Sequence, residues 1–270
     1  MSDEGNEIQI IHGKGDPLEQ SFGRVNSVVT NSLILGTPKA SFQSPTKELA
    51  AELKEKLKET KTNGKIEVYL GHSPFFRELK RLFHRDRRAN FFLRMGLGLP
   101  SILKGSLIQN KLMRSDHYNP LTETVHVYHP NKAVALHEIG HALDFDKAKY
   151  PGLKTFGGIL PPIRLKQEWV ASRNAMKYLD KKEQHEASKI LEPAFSSYVG
   201  SFGGLAVGKL ISAPAALVTY IGSIALGHLH SRTSEKNIFY NGEPVLLKED
   251  SKEQKTEISA PAFASAATTV

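Results

Sequence analysis

The chain has 270 residues, of which 40% are hydrophobic and 24% charged, with a formal net charge of +8. That length supports one main core with appendages, so a single principal domain is expected. Cysteine is absent, which excludes disulfides and thiolate metal ligands and leaves only nitrogen and oxygen donors.

The first seven residues, Met1-Ser2-Asp3-Glu4-Gly5-Asn6-Glu7, are polar and acidic. They lack the basic start and apolar centre of a cleavable secretory signal, so a cytosol-facing catalytic domain is expected. Residues 1–43 carry weak signals and are expected to form an irregular region, with short strands at 8–11 and 27–35. Gly13-Lys14-Gly15 lacks the spacing and trailing Lys-Ser/Thr of a phosphate loop. Ser44-Pro45 reads as a helix start, and Leu49, Leu53 and Leu57 recur at helical spacing beyond it. Asn63-Gly64 ends that helix, and residues 65–70 read as a strand.

Ser73-Pro74 reads as a second helix start. Beyond it, Arg77, Lys80, Arg81, Arg85, Arg87, Arg88 and Arg94 interleave with Phe75, Phe76, Leu79, Leu82 and Phe83. A basic amphipathic helix suits a membrane surface or, less well, nucleic acid. No nucleic-acid fold motif accompanies it, so no nucleic-acid partner is expected. The favoured reading is a helix that packs by its aromatic face and keeps its cations in water.

Residues 122–128 alternate polar and apolar side chains like a strand. Placed directly before the next helix, this strand is expected to be the edge that pairs with an extended substrate. Asn131 is a plausible N-cap for that helix. Within it lies His137-Glu138-Ile139-Gly140-His141, which matches H-E-x-x-H. Residues four apart share one helical face, so the two imidazoles can grip one metal ion, with Glu138 beside them as a base. Such a site needs a third ligand. The spacing H-E-x-x-H-x-x-G-x-x-H is not met, because Asp144 and Lys147 stand at its last two fixed positions.

Glu168 is the preferred third ligand, with Asp144 as runner-up. Ala171 and Ala175 follow Glu168 on its own helical face, and small residues there allow close approach to the metal helix. Asp144, one turn beyond His141, is otherwise suited to orienting a ligand imidazole. The pattern Glu-x-x-Ala-x-x-x-Ala after H-E-x-x-H resembles the gluzincins, the thermolysin-like branch of zinc peptidases, over about residues 122–178. The resemblance implies an α+β fold: a mostly helical zincin-like domain with a small sheet, spanning 44–192. It implies Zn2+ held by His137, His141 and Glu168, Glu138 as general base, and a peptide or protein substrate. Tyr128 is the candidate donor to the developing oxyanion, with Tyr118, His117, His126 and His129 as alternatives. Residues 151–162, rich in Gly and Pro, read as a loop lining the cleft.

Between Pro193 and Ser231 the only formal charge is Lys209. Gly200, Gly203, Gly204, Gly208, Gly222 and Gly227 punctuate this stretch, and residues 210–227 are uncharged over nearly a bilayer's thickness. Residues 193–231 are therefore expected to form a membrane-embedded segment or a hairpin turning near Gly208-Lys209. Residues 232–270 read as a polar, largely disordered tail. The leading expectation is a membrane-associated zinc metallopeptidase. The alternatives are a catalytically silent zincin-fold adaptor, and a zinc hydrolase of a non-peptide amide or ester.

Overall fold

The computed structural model describes residues 8–13, 21, 23–84, 91–105, 109, 113–158, 160–234 and 238–239. The polar N-terminal heptad, Lys14, Gly15, the Arg85–Arg88 cluster and the tail beyond residue 240 lie outside the described residues.

A four-stranded sheet forms the floor. Its strands are β1 (Ile8–His12), β2 (Ile66–Leu70), β3 (His117–Asn119) and β4 (Thr124–Val127), in the order β1-β2-β4-β3. β1, β2 and β4 run parallel, and β3 pairs antiparallel with β4. The strand expected at the edge, β4, is therefore internal, and three-residue β3 holds the edge. β3, only three residues long, is too short to show an alternating pattern in the sequence.

Strand alternation gives the sheet two different faces. Ile8, Ile10, Ile66, Val68, Leu70, Val125 and Val127 point into the main core. Glu67, Tyr69, Thr124 and His126 point the other way, under α3 (Phe75–Phe83). That face is polar and buried, so it demands polar partners. Glu67 accepts from Arg77 at 3.1 Å, pairs with Arg81 at 2.7 Å, and also accepts from the Tyr69 hydroxyl. Glu78 takes Thr124 Oγ1 at 2.8 Å and His126 Nε2 at 3.0 Å. This demand inverts the expected packing of α3: Glu78, Arg81 and Leu82 are buried, while Phe76 and Phe83 stand in water.

The N-terminal region is part of the body. α1 (Arg24–Val29) continues into a π turn (Thr30–Ile34) and then a 3-10 turn (Pro38–Phe42), where a short strand was expected. α2 (Lys47–Leu57) buries Leu49, Leu53 and Leu57 as their spacing requires, although its cap is Thr46 rather than Ser44. α4 (Phe91–Leu93), a second π turn (Arg94–Gly98) and α5 (Leu99–Leu103) follow α3.

On the apolar face lies α6 (Lys132–Asp146), capped by Asn131, which accepts from Ala133 N at 2.7 Å. α7 (Pro151–Gly157) replaces the expected loop, and α8 (Pro161–Met176) crosses α6. Small residues set that crossing. Ala171 and Ala175 are fully buried, and a Cβ on Gly140 would stand 2.3 Å from the Ala171 carbonyl oxygen. Asn174 Nδ2 donates to the Gly140 carbonyl at 3.2 Å.

α9 (Lys181–Leu210) starts with a capping box between Asp180 and Glu183 and runs unbroken through the expected boundary at 192/193, with Pro193 in its interior. It turns at Ile211 and Ser212 and packs against α10 (Ala213–Thr233) as an antiparallel hairpin. Glycines make the seam: a Cβ on Gly204 would lie 2.8 Å from the Ala216 carbonyl oxygen, and one on Gly227 would lie 2.9 Å from Pro193 Cα. The expected membrane span needs correction. Among the described residues no helix is long and apolar enough to cross a membrane. Half of α9 is polar, and Gly, Ser and Thr dilute the rest.

Candidate metal centre

α6 presents His137 and His141 one turn apart on one face, with ring centroids 4.8 Å apart and planes near perpendicular. α8 brings Glu168 across to meet them. Glu168 Oε2 lies 3.2 Å from His137 Nε2 and 3.2 Å from His141 Nε2. The three ligand atoms fall within 4.8 Å of one another, and no other such cluster occurs among the described residues. Glu168 is 1% exposed, so a carboxylate has been carried into the interior to this point.

The donor set is one that could hold a metal ion such as zinc. Bonds of about 2.0–2.1 Å at tetrahedral angles place neighbouring ligand atoms about 3.3 Å apart, and both carboxylate–imidazole contacts match that edge. His137 Nδ1 lies 3.0 Å from Ser172 Oγ, so an Nδ1–H donated there leaves the Nε2 lone pair facing the centre. Glu168 Oε1 is buried without a hydrogen bond. Its neighbour Arg164 Nη2 pairs with it by charge at 2.6 Å, outside hydrogen-bond geometry.

The electrostatics follow from burial and crowding. Burial disfavours charge on Glu168, but the His141 charge, hydrogen bonds to both imidazoles and Arg164 outweigh it and hold the carboxyl well below its usual range. For His137, burial is outweighed by Glu168 and Glu138, and the imidazole is held up. For His141, burial wins and the imidazole is pushed down. Glu138 is pushed up to about 8, first by burial and then, against the opposing charge of His137, by the carboxylates of Asp116 and Glu168.

A cavity of about 160 Å³ opens beside the cluster and is lined by His137, Glu138, Glu168 and Ser172. Its far wall is Tyr198 and Ala194 from α9, and its roof is Ser27, Asn31 and Leu35 from the N-terminal segment. Arg114 holds that roof by donating to the carbonyls of Ser41 at 3.3 Å and Gln43 at 3.1 Å.

The structure thus brings together four of the residues singled out by sequence: His137, Glu138, His141 and Glu168. Tyr128 is not among the residues lining the cavity. It is 3% exposed, with its ring facing Arg114. Its neighbours are also occupied elsewhere: His126 by Glu78, His117 by stacking on His126, and His129 by Thr37. Asp144 pairs with Lys154 at 2.6 Å and orients no ligand imidazole. Three residues of the site escaped the sequence reading. Ser172 and Arg164 flank Glu168 at helical spacing, a signal that was present. Tyr198, whose hydroxyl is held protonated by the Glu168 charge and by burial, had no local signal.

No family model matches the chain, and comparison with the curated proteins and with the solved structures gave no match.

Proposed function

We propose that the protein is a zinc-dependent hydrolase of the gluzincin type that cleaves peptide bonds in a peptide or protein substrate at a membrane. The observation that carries the proposal is the meeting of one buried carboxylate with two imidazole nitrogens at 3.2 Å each, from helices joined at Gly140 and Ala171. His137, His141 and Glu168 would hold the ion. Zinc bound there supplies a Lewis acid and a water of lowered pKa.

The chain's own residues do the rest. Glu138 lines the same cavity and accepts the proton of the attacking water, then returns it to the leaving amine. Ser172 fixes the His137 ring, and Arg164 balances the charge of Glu168. Tyr198, protonated in the cavity wall, is placed to donate a hydrogen bond to a substrate oxygen. The stretch from Pro193 to Ser231, with Lys209 as its one formal charge, supports membrane association.

The test is bound metal per chain by elemental analysis, followed by turnover of a quenched peptide library. Wild type is expected to carry one zinc, Glu168→Ala to lose it and Asp144→Ala to keep it. Glu138→Gln is expected to keep zinc and lose turnover. Folded wild-type protein that takes up no zinc would end the proposal.

A further inference from the structure

Large apolar side chains stand in water on four stretches of the chain. The roof of the cavity exposes Val25 (67%) and Val29 (68%), and α4 exposes Phe92 (82%). α7 exposes Leu153 (71%), and the turn of the α9–α10 hairpin exposes Leu210 (85%) and Ile211 (73%). These stretches touch one another. Leu93 lies against Gly152, and Ile163 against Gly157. Arg164 lies 5.5 Å from the Tyr198 ring, and His228 Nε2 lies 3.1 Å from the Leu33 carbonyl. Through these contacts the four stretches adjoin as a collar beside the cavity and the hairpin.

The charge of this collar is one-sided. Residues 23–43, 91–105, 147–166 and 193–233 together contain 11 Lys and Arg and not one Asp or Glu; Arg94 is buried, and Lys154 and Arg164 pair with Asp144 and Glu168, which leaves eight cations for the surface. A second copy docked on such a surface would set cation against cation. A surface of acyl chains under anionic headgroups satisfies both features, since apolar side chains enter the hydrocarbon while Lys and Arg meet phosphate.

We infer that this collar docks on an anionic phospholipid bilayer, with the hairpin tip inserted in one leaflet. The hairpin is built for it. Gly200, Gly204 and Gly227 press its two helices together so closely that a Cβ at any of them would come within 3.0 Å of the partner helix. Apolar residues then face outward on both helices: Leu205 and Leu210 on α9, and Leu217, Val218 and Ile221 on α10. The arm over residues 199–210 is about 18 Å long at 1.5 Å per residue, against about 30 Å of hydrocarbon. It therefore enters without crossing, and the long stem of Lys209 lets its ammonium reach back to the headgroups. This docking stands independently of the hydrolase reading, and its test reads binding rather than turnover.

The experiment is cosedimentation of the full chain with vesicles of phosphatidylcholine alone or with about a third phosphatidylglycerol. Binding is expected to be about tenfold tighter to the anionic vesicles and to weaken in high salt. The double variant Leu210→Asp/Ile211→Asp is expected to lose about tenfold or more of that binding with an unchanged circular dichroism spectrum. Because the chain has no cysteine, Ile211→Cys can carry an environment-sensitive fluorophore, with Glu55→Cys on α2 as the control. The Ile211 label is expected to shift to the blue on anionic vesicles, and the Glu55 label to stay put. Equal binding to both vesicles, no binding, or an unshifted Ile211 label would overturn the inference. A dimer broken by the double variant, without vesicle binding, would assign the face to a second copy and overturn it as well.

Discussion

Gly140→Ala tests how the metal centre is assembled. Its added Cβ would sit 2.3 Å from the Ala171 carbonyl oxygen and 3.0 Å from the carbonyl carbon, while ordinary contact begins at 3.4 Å. The obstacle is helix backbone, so α8 must retreat from α6 by about 1 Å for the clash to clear. Overpacking of this kind costs about 1–3 kcal/mol. The retreat also stretches the Asn174–Gly140 hydrogen bond, worth about 1 kcal/mol. Glu168 lies one turn from Ala171 on the same face and moves with it, which opens the two 3.2 Å contacts to the imidazoles. We expect a melting temperature about 3–10 °C lower and zinc affinity lower by about 10–100-fold. The assays are a thermal melt of the metal-free protein and zinc competition against a chromophoric chelator. Gly203→Ala is the control, because its Cβ meets only the Thr219 methyl at 3.5 Å. It should be neutral or slightly stabilising. If Gly140→Ala matches wild type in both assays, close apposition at this crossing does not hold the site together.

Ser172→Ala frees the His137 ring without touching a ligand, so zinc affinity should fall by about tenfold with the melting temperature nearly kept, as read by the same chelator competition. Asp146 accepts from Asn63 N at 2.7 Å and Gly64 N at 3.0 Å, tying the turn before β2 to the end of α6. Asp146→Ala should cost about 2–4 kcal/mol in urea denaturation. Acid should weaken the fold in two stages. Burial presses His117 down to about 4, so the unfolded chain takes up its proton first and stability falls as pH drops from about 6.5 toward 4. Burial pushes Glu78 up, but the charge of His126 and hydrogen bonds from His126 and Thr124 outweigh it and hold the carboxyl at about 2. Its contribution is complete above the ordinary carboxylate range and is lost as pH falls from about 4.5 toward 2. Urea midpoints across this range should show both stages, and His117→Asn should shrink the first, to which the lowered His72, His129 and His141 also contribute.

The candidate metal ligands were legible because helical geometry is local. Four-residue spacing fixes the His137–His141 face, and the small residues after Glu168 announce a close crossing. The cavity wall was not legible, because Tyr198, Asn31 and Arg114 meet only through contacts between segments far apart in sequence. The pattern over α3 misled for a related reason. Its aromatic spacing suggested an apolar inner face, but the sheet surface below it carries Glu67, Thr124 and His126 and selects Glu78 and Arg81 as partners. The glycines of 193–231 suited close helix packing in lipid; the close packing is found between α9 and α10, without a span. Their dilution of hydropathy, together with the polar first half of α9, explains why neither helix has the character of a span.

α9 is a single rod of 30 residues that contributes Leu191, Ala194, Ser197 and Tyr198 to the cavity and ends at the hairpin turn. Pro193 lacks an amide hydrogen, so the helical ladder is weakest just before Ala194. The second arm braces that weak point: Gly227 of α10 packs on Pro193, and His230 pairs with Glu192 at 2.7 Å. One helix therefore carries both the cavity wall at Ala194 and Tyr198 and, about 25 Å further on, the apolar turn of the hairpin.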